Sequence, residues 1–348
     1  MPTAPGNASA APSSVHGISY DYYGRRVATC SSDGMICVYD EAGHKTGEWR
    51  AHNGSCFRVV WAHPEFGPVL ASCSFDRKVC VWEEASDAED PAPHPRPAGG
   101  WRLAAELQQA RDSLHDVAFA PHVHGLWLAS CGDDRLVRVY EAPDVMRLSE
   151  WLASAEFEAS GETKARAAEA PGQRGAAPQC LAWNPSHVEP MALALGLADG
   201  SVHVWGVSER AGSWARLLVL EPRSPGRPGL APYPLAHSDC VRGLSWAPDV
   251  GRSHHLLATA SRDRSVKLWK LRVAAAEPEA ARDGGAAGGA SDPRWSGECS
   301  AELAHEGQVW RVEWNACGSM LAVAVDEGRV HVYSRDEAGD WQREPGAG

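Results

Sequence analysis

The chain has 348 residues, a formal net charge of −12 and an apolar fraction of 44%. An acidic chain without a basic stripe has nothing to neutralise phosphates, which argues against direct nucleic-acid binding. No apolar run approaches the roughly 18 residues that span a membrane, and residues 1–14 lack the basic start and apolar stretch of a secretory signal.

The ten cysteines are scattered through predicted strands and show no CxxC spacing; examples are Cys30, Cys73 and Cys131. This usage is typical of buried free thiols in a reducing compartment. A metal site has little support on this spacing, and we predict no bound metal and no cofactor.

A strand–turn–strand unit recurs six times along the chain. The clearest copy runs from Ala71 to Trp82, with small and β-favouring residues, a tight turn at Asp76 and a second strand that ends in Trp82. In every copy an aromatic residue follows the turn acid by six positions: Tyr39, Trp82, Tyr140, Trp205, Trp269 and Tyr333. Another aromatic lies 13 to 17 residues before each turn acid: Tyr20, Trp61, Phe119, Trp183, Trp246 and Trp314. Two markers in register six times indicate stacked or radial units.

Units with an Asp turn and a closing Trp resemble the WD-repeat β-propellers, whose blades are four-stranded antiparallel sheets around a channel. The resemblance implies an all-β propeller of six blades over residues 15–343, with tails at 1–14 and 344–348. Insertions without strand character are predicted at about 84–100, 159–173, 221–234 and 274–293. Residues Leu103 to Arg111 have the composition of a short helix, but the repeat register favours an outer strand that begins at Trp101.

Polar residues recur beside the turns. An Asp in a tight turn accepts hydrogen bonds from backbone N–H groups. In the WD family a His, a Ser or Thr and the Trp extend this into a buried chain. The resemblance places complete structural tetrads at His52, Ser72, Asp76 and Trp82, and at His237, Thr259, Asp263 and Trp269. Repeat six keeps His305 but has Val323 and Glu327, and repeat four has Leu195.

A set of Ser, His and Asp also invites interpretation as a catalytic triad. We reject it because the set recurs in several blades, has no matching oxyanion loop and has a structural explanation. No GxSxG, P-loop, HExxH or dinucleotide fingerprint is present. The sequence therefore predicts a protein that is not an enzyme.

The two ends of the predicted ring do not obviously pair. The first recognisable strand is the inner strand of blade one, and the last, at Trp341, is the outer strand of blade six. An unlatched ring exposes apolar faces and open edges, which invite another chain. We expect a partner blade in trans, held by Ile18 and Tyr20 on one side and by Val309, Trp310 and Val312 on the other. The alternative is a six-bladed ring closed by the N-terminal tail.

Several segments are similar to the Seh-type WD-repeat nucleoporins, a sister family of the COPII-cage propeller. They are Gly24 to Asp33, Trp61 to Gly67, Ala71 to Arg77, Val81 to Glu84, Tyr140 to Met146, Gly251 to Ser253, and Gln308 to Val312. Asp21 to Gly24 and Asp76 to Val79 look more like the COPII sister.

The nucleoporin resemblance implies an open propeller completed by an inserted blade of an α-solenoid scaffold nucleoporin. It places the chain in the Y-shaped outer-ring complex of the nuclear pore at the nuclear envelope. For some lineages it also implies a TOR-regulating complex at the vacuolar or lysosomal surface, and a cytosolic pool is expected.

Other functions stay open on sequence alone. A COPII coat propeller would co-purify with endoplasmic-reticulum exit sites instead of the nuclear envelope. A peptide-binding WD-repeat adaptor would need a charged or aromatic pocket at the channel mouth. A hydrolase has no supporting motif.

Overall fold

The computed structural model describes residues 13–85, 100–161, 176–208, 212–220, 236–274, 294–336 and 339–345. These residues form 24 β-strands in six four-stranded antiparallel sheets, each built from four consecutive strands. The described part contains no α-helix, only 3-10 turns at Pro64–Phe66, His122–His124 and Asp326–Gly328. The sheets are the blades of a ring, so the prediction of an all-β, six-bladed propeller is confirmed.

Each blade runs from an inner strand at the channel to an outer strand at the rim. Blade 1 contains β1 (Val15–Tyr20), β2 (Val27–Ser31), β3 (Met35–Tyr39) and β4 (Lys45–Arg50); blade 2 contains β5 (Cys56–Trp61), β6 (Val69–Ser74), β7 (Val79–Glu84) and β8 (Trp101–Leu107). Blade 3 contains β9 (Leu114–Phe119), β10 (Trp127–Gly132), β11 (Leu136–Glu141) and β12 (Leu152–Glu158); blade 4 contains β13 (Pro178–Trp183), β14 (Ala192–Leu197), β15 (Val202–Val207) and β16 (Trp214–Leu220). Blade 5 contains β17 (Val241–Trp246), β18 (His255–Ser261), β19 (Ser265–Ala274) and β20 (Arg294–Ala304); blade 6 contains β21 (Val309–Trp314), β22 (Met320–Val325), β23 (Arg329–Arg335) and β24 (Trp341–Arg343).

The segment after Trp101 is the strand β8, so the helix suggested by composition for Leu103 to Arg111 is wrong and the repeat register prevails. The four predicted insertions lie for the most part outside the described residues. Residues 1–12 and 346–348, which hold most of the predicted tails, lie outside them as well.

The turn between the second and third strands of each blade has one feature in common. The residue after the turn acid has a positive φ of 66° to 89° in all six blades: Gly34, Arg77, Arg135, Gly200, Arg264 and Gly328. Glycine adopts this conformation without strain. At Gly34 and Gly200 it also has no room for a side chain, because a Cβ would lie 2.4 Å from the His52 carbonyl oxygen and 2.2 Å from that of His237. These turns therefore pack tightly on the loop that enters the next blade.

The hydrophobic core consists of five separate clusters, each between two consecutive blades. They join blade 1 to 2, 2 to 3, 3 to 4, 4 to 5 and 5 to 6. Within the described residues, no cluster joins blade 6 back to blade 1. A ring of six blades with every face covered would need a sixth.

Candidate functional site

Tryptophans at the ends of the inner strands link each blade to the one before it. The indole Nε1 of Trp61 donates to the Ser19 carbonyl at 3.1 Å, and those of Trp183, Trp246 and Trp314 donate to carbonyls one blade back at 3.0 Å. These residues belong to the second aromatic marker of the sequence. Blade 3 has Phe119 at this position, which has no N–H to donate.

The structure brings the four predicted tetrad residues of blade 2 into one chain of hydrogen bonds. Trp82 Nε1 donates to Ser72 Oγ at 3.0 Å, and Ser72 Oγ lies 2.8 Å from His52 Nε2. His52 Nδ1 lies 3.1 Å from Asp76 Oδ2. One proton assignment satisfies every group: the Ser72 hydroxyl donates to Nε2, and Nδ1–H donates to Asp76. This chain connects the turn of blade 2 to the loop that enters the blade.

Blade 5 repeats the arrangement with Thr259 in place of serine. Trp269 Nε1 donates to Thr259 Oγ1 at 3.1 Å, Thr259 lies 2.7 Å from His237 Nε2, and His237 Nδ1 lies 2.9 Å from Asp263. Burial by itself raises the pKa of Asp263, but hydrogen bonds and charge from His237, with bonds from Ser265 and Ser238, lower it overall. The carboxylate is therefore held in its ionised form.

The hydroxyl groups of both tetrads are fully buried. Ser72 and Thr259 have no exposed surface at all. Their hydroxyl groups are enclosed between the blades and are already engaged by indole and imidazole groups. A substrate has no access to such a hydroxyl.

Blades 3 and 6 replace the tetrad by other polar pairs. In blade 3 the turn acid Asp134 binds the buried guanidinium of Arg138 at 2.7 Å. In blade 6 Nδ1 of His305 lies 3.2 Å from Nδ1 of His331, and Glu327 is exposed and pairs with Arg329 at 2.7 Å. Asp326, one residue earlier, accepts from the backbone of Gln308 at 2.9 Å.

The terminal blades differ from the inner blades in their burial pattern. The second strands of blades 2 and 4, β6 and β14, are buried at every position. In blade 1, β2 and β3 alternate strictly between buried and half-buried residues, and in blade 6 β22 alternates between buried and more exposed ones. Because strand side chains alternate between the two faces, each terminal blade is covered on one face only.

We call these two surfaces the seam faces. On blade 1 the side chains in register are Ile18 with Thr29 and Cys37, and Tyr20 with Val27 and Tyr39. On blade 6 they are Ala322 with Val332, and Ala324 with Val330. Both seam faces are thus largely apolar and uncovered in the part of the chain that the structure describes.

Of the five predicted interface residues, two lie on a seam face and three pack toward blade 5. Ile18 is 54% and Tyr20 is 64% exposed, and both lie on the seam face of blade 1. Trp310 is 49% exposed and stacks with Arg242 of blade 5 at 5.5 Å. Val309 and Val312 are 0% and 1% exposed in the core between blades 5 and 6. The prediction for these two valines is wrong, because their side chains point to the covered face of β21.

The sequence reasoning missed Tyr39, Cys37 and Val332 as seam residues. The signal was present: once β1 is paired with β2, strand alternation puts Tyr39 on the same face as Tyr20. Among the described residues, no helix has the length and apolar character needed to cross a bilayer.

Comparison with known proteins adds independent information. The sequence pattern of the family described as "WD domain, G-beta repeat" matches residues 7–40, 43–83, 103–141, 233–270 and 297–334. Nucleoporin SEH1-B of Xenopus laevis is 36% identical over 343 residues, which cover 94% of this chain and 83% of that protein. Nucleoporin SEH1 of Danio rerio is 35% identical, covering 94% and 82%, and nucleoporin SEH1 of Homo sapiens is 36% identical, covering 94% and 83%.

Proposed function

This chain belongs to the SEH1 family of WD-repeat nucleoporins, and from that premise we propose that it is a non-enzymatic scaffold subunit of the nuclear pore outer ring. In this proposal an α-solenoid scaffold nucleoporin inserts a blade between blades 6 and 1. The protein then acts by binding one partner through two surfaces, the seam faces of blades 1 and 6.

The observation that carries this proposal is the pair of uncovered seam faces. Every other blade face in the ring contributes to one of five apolar clusters. Covering apolar surface is favourable by roughly 25 cal/mol per Å². A partner that covers both faces at once buries an area in the range of obligate interfaces, upward of roughly 2,000 Å².

Tyr20 gives the seam a specific polar contact. It holds the inner-strand position at which Trp61, Trp183 and Trp246 each donate to a carbonyl of the preceding blade. Blade 1 has no preceding blade within this chain. We therefore assign the Tyr20 hydroxyl to a backbone carbonyl of the inserted partner blade.

Substitution of the seam faces tests the proposal. The full chain is co-expressed with the α-solenoid scaffold nucleoporin encoded in the same genome, and the complex is isolated through a tag on the solenoid. The variants Tyr39→Asp and Val332→Asp bury a charge in the interface, which is strongly unfavourable without a partner charge. We expect the wild-type chain to co-purify and both variants to lose at least about 2 kcal/mol of binding, the cost typical of an interface hot spot.

Matched controls come from apolar residues far from the seam. Val188 is 90% exposed on blade 4 and Met146 is 88% exposed on blade 3. Val188→Asp and Met146→Asp should bind as the wild type does. A wild-type chain that recovers no solenoid, or seam variants that fold and bind normally, would refute the proposed function.

The alternative functions predict different cellular locations for the protein. A coat propeller of the secretory pathway would concentrate at endoplasmic-reticulum exit sites, whereas we expect a tagged chain at the nuclear envelope. The TOR-regulating complex implied by the family resemblance would place a further pool at the vacuolar or lysosomal surface. The curated relatives named above are nucleoporins, which favours the nuclear envelope.

A further inference from the structure

Histidines from three neighbouring blades meet at one mouth of the central channel. His63 follows β5 in blade 2, His122 follows β9 in blade 3, and His187 follows β13 in blade 4. All three line the same cleft, which the ends of the inner strands surround. The ring centroids of His63 and His122 are 3.8 Å apart, and those of His122 and His187 are 5.9 Å apart.

We propose that His63, Glu65 and His122 bind a divalent transition-metal ion, with Zn²⁺ the best match, and that the ion clips blade 2 to blade 3. One ligand atom from each residue lies within 4.8 Å of the other two. Two imidazoles and one carboxylate are a common zinc ligand set, with water in the open position. The same set suits magnesium or calcium poorly, since those ions prefer oxygen ligands.

Short turns with fixed backbones present the ligands. The turn Pro64–Phe66 is closed by a hydrogen bond from Phe66 N to the His63 carbonyl at 3.0 Å. The turn His122–His124 is closed by one from Gly125 N to the His122 carbonyl at 2.9 Å. His63 Nδ1 faces Glu65: it accepts from the Glu65 backbone N–H at 3.3 Å and lies 3.9 Å from a carboxylate oxygen. The side chains therefore already converge before any ion arrives.

Closing the site requires side-chain rotation and loss of the 3.3 Å bond from the Glu65 N–H to His63 Nδ1, because metal binding at either ring nitrogen removes the free lone pair of Nδ1. At metal–ligand distances of about 2.0–2.1 Å, tetrahedral ligand atoms lie about 3.3 Å apart, so ligand atoms that now lie within 4.8 Å of one another must approach by at most about 1.5 Å. The Glu65 carboxylate is 61% exposed and free to swing. The two imidazole planes are within 10° of parallel, so one ring must rotate to aim its nitrogen at the ion. These residues belong to blades 2 and 3 and not to the seam faces, so the inference does not depend on the proposed function.

This inference revises the expectation of no bound metal, which rested on cysteine spacing. The histidines belong to separate repeats, and only the curvature of the ring brings them together. The sequence signal is their shared place in the loop after each inner strand, two to four residues beyond Trp61, Phe119 and Trp183.

Metal titration of the chelator-treated full chain tests the site. Calorimetry with Zn²⁺ should show one saturable site in the wild type, and Co²⁺ should give the visible absorption of tetrahedral cobalt. His122→Ala and Glu65→Gln should each weaken Zn²⁺ binding by at least about tenfold, since even outer-shell partners are worth 10–100-fold. Zn²⁺ should also raise the melting midpoint of the wild type, because an ion that binds only the folded state stabilises it.

The matched control is His44→Ala, an exposed histidine on blade 1 whose side chain is 79% accessible. It should bind Zn²⁺ as the wild type does. Unchanged circular dichroism and melting of each variant without metal separate loss of the site from loss of the fold. Failure to saturate with Zn²⁺, or equal affinity in His122→Ala, Glu65→Gln and the wild type, would overturn the proposal.

Discussion

A single hydroxyl in each complete tetrad holds two buried ring nitrogens. Ser72 Oγ accepts from the Trp82 indole and donates to the His52 imidazole, and Thr259 does the same in blade 5. Buried polar groups that lose a partner cost about 1–3 kcal/mol each, whereas a satisfied hydrogen bond contributes only about 1 kcal/mol. Ser72 therefore stabilises the fold mainly because it keeps the Trp82 indole and the His52 imidazole paired, and less through the net energy of a single hydrogen bond.

Removing that hydroxyl should destabilise the protein measurably. In Ser72→Ala the indole N–H and the imidazole Nε2 stay buried without a partner, so we expect a loss of about 1–3 kcal/mol in urea unfolding. Thr29→Ala is the control: Thr29 is the matching residue of blade 1, but it lies half-buried on the seam face and its hydroxyl is 3.5 Å from the Cys37 carbonyl. That control should change stability by less than about 0.5 kcal/mol. Equal unfolding midpoints for the two variants would contradict this role of Ser72.

Blade 6 is the element in which the polar network changes character. Where blades 2 and 5 pair a histidine with an aspartate, blade 6 pairs His305 with His331, and the rings stack with centroids 5.4 Å apart. Burial, with the charges of His331 and Arg343, lowers the pKa of His305 to about 4. Burial, with Arg343 and Arg329, also lowers the pKa of His331. Because two protonated neighbours repel each other, this pair resists protonation in the folded state, so we expect blade 6 to lose stability as the pH falls.

The sign of the pH dependence follows from linkage. An unfolded histidine has a pKa near 6.5, so between about pH 6.5 and 4 the unfolded chain binds more protons and stability falls as the pH is lowered. We expect His305→Gln to reduce the stability lost between about pH 7 and pH 5 by on the order of 1 kcal/mol relative to the wild type.

Urea unfolding at the two pH values measures this difference. The lowered pKa values of Asp76 and Asp263 act below about pH 4 and do not enter this window. The exposed His44 provides the control variant, His44→Gln, which should keep the wild-type slope. If His305→Gln loses as much stability between about pH 7 and pH 5 as the wild type, the His305–His331 pair does not cause this pH dependence.

At the scale of the whole molecule, the ring has six blades and five covered interfaces. The inter-blade clusters, the tryptophan–carbonyl bonds and the turn contacts at Gly34 and Gly200 all act between consecutive blades. Each blade thus depends on its neighbours, and the two terminal blades each have one neighbour fewer. The apolar blade surface that no neighbouring blade covers lies on the two seam faces.

The sequence predicted those properties that each repeat carries locally. The number of blades and the strand of Trp101 follow from the repeat spacing, whereas the members of both tetrads were placed by the resemblance to WD repeats. The free face of β21 did not follow, because a bulge between Val309 and Arg311 interrupts the register and both chosen valines face blade 5. The grouping of His63 with His122 also needed the structure, since separate repeats supply them.

The most direct measurement of the central claim uses a native thiol. Cys37 lies half-buried on the seam face of blade 1, and burial raises its pKa, so alkylation is followed at mildly alkaline pH. Cys317 is exposed in the β21–β22 turn, where Arg252 of blade 5 binds the backbone at 3.3 Å, and it serves as the internal control. Mass spectrometry of the full chain, with and without the α-solenoid nucleoporin, reports both rates. The account predicts that the partner slows modification of Cys37 and leaves Cys317 unchanged; a Cys37 that reacts equally fast in the free chain and in the complex would contradict an inserted blade.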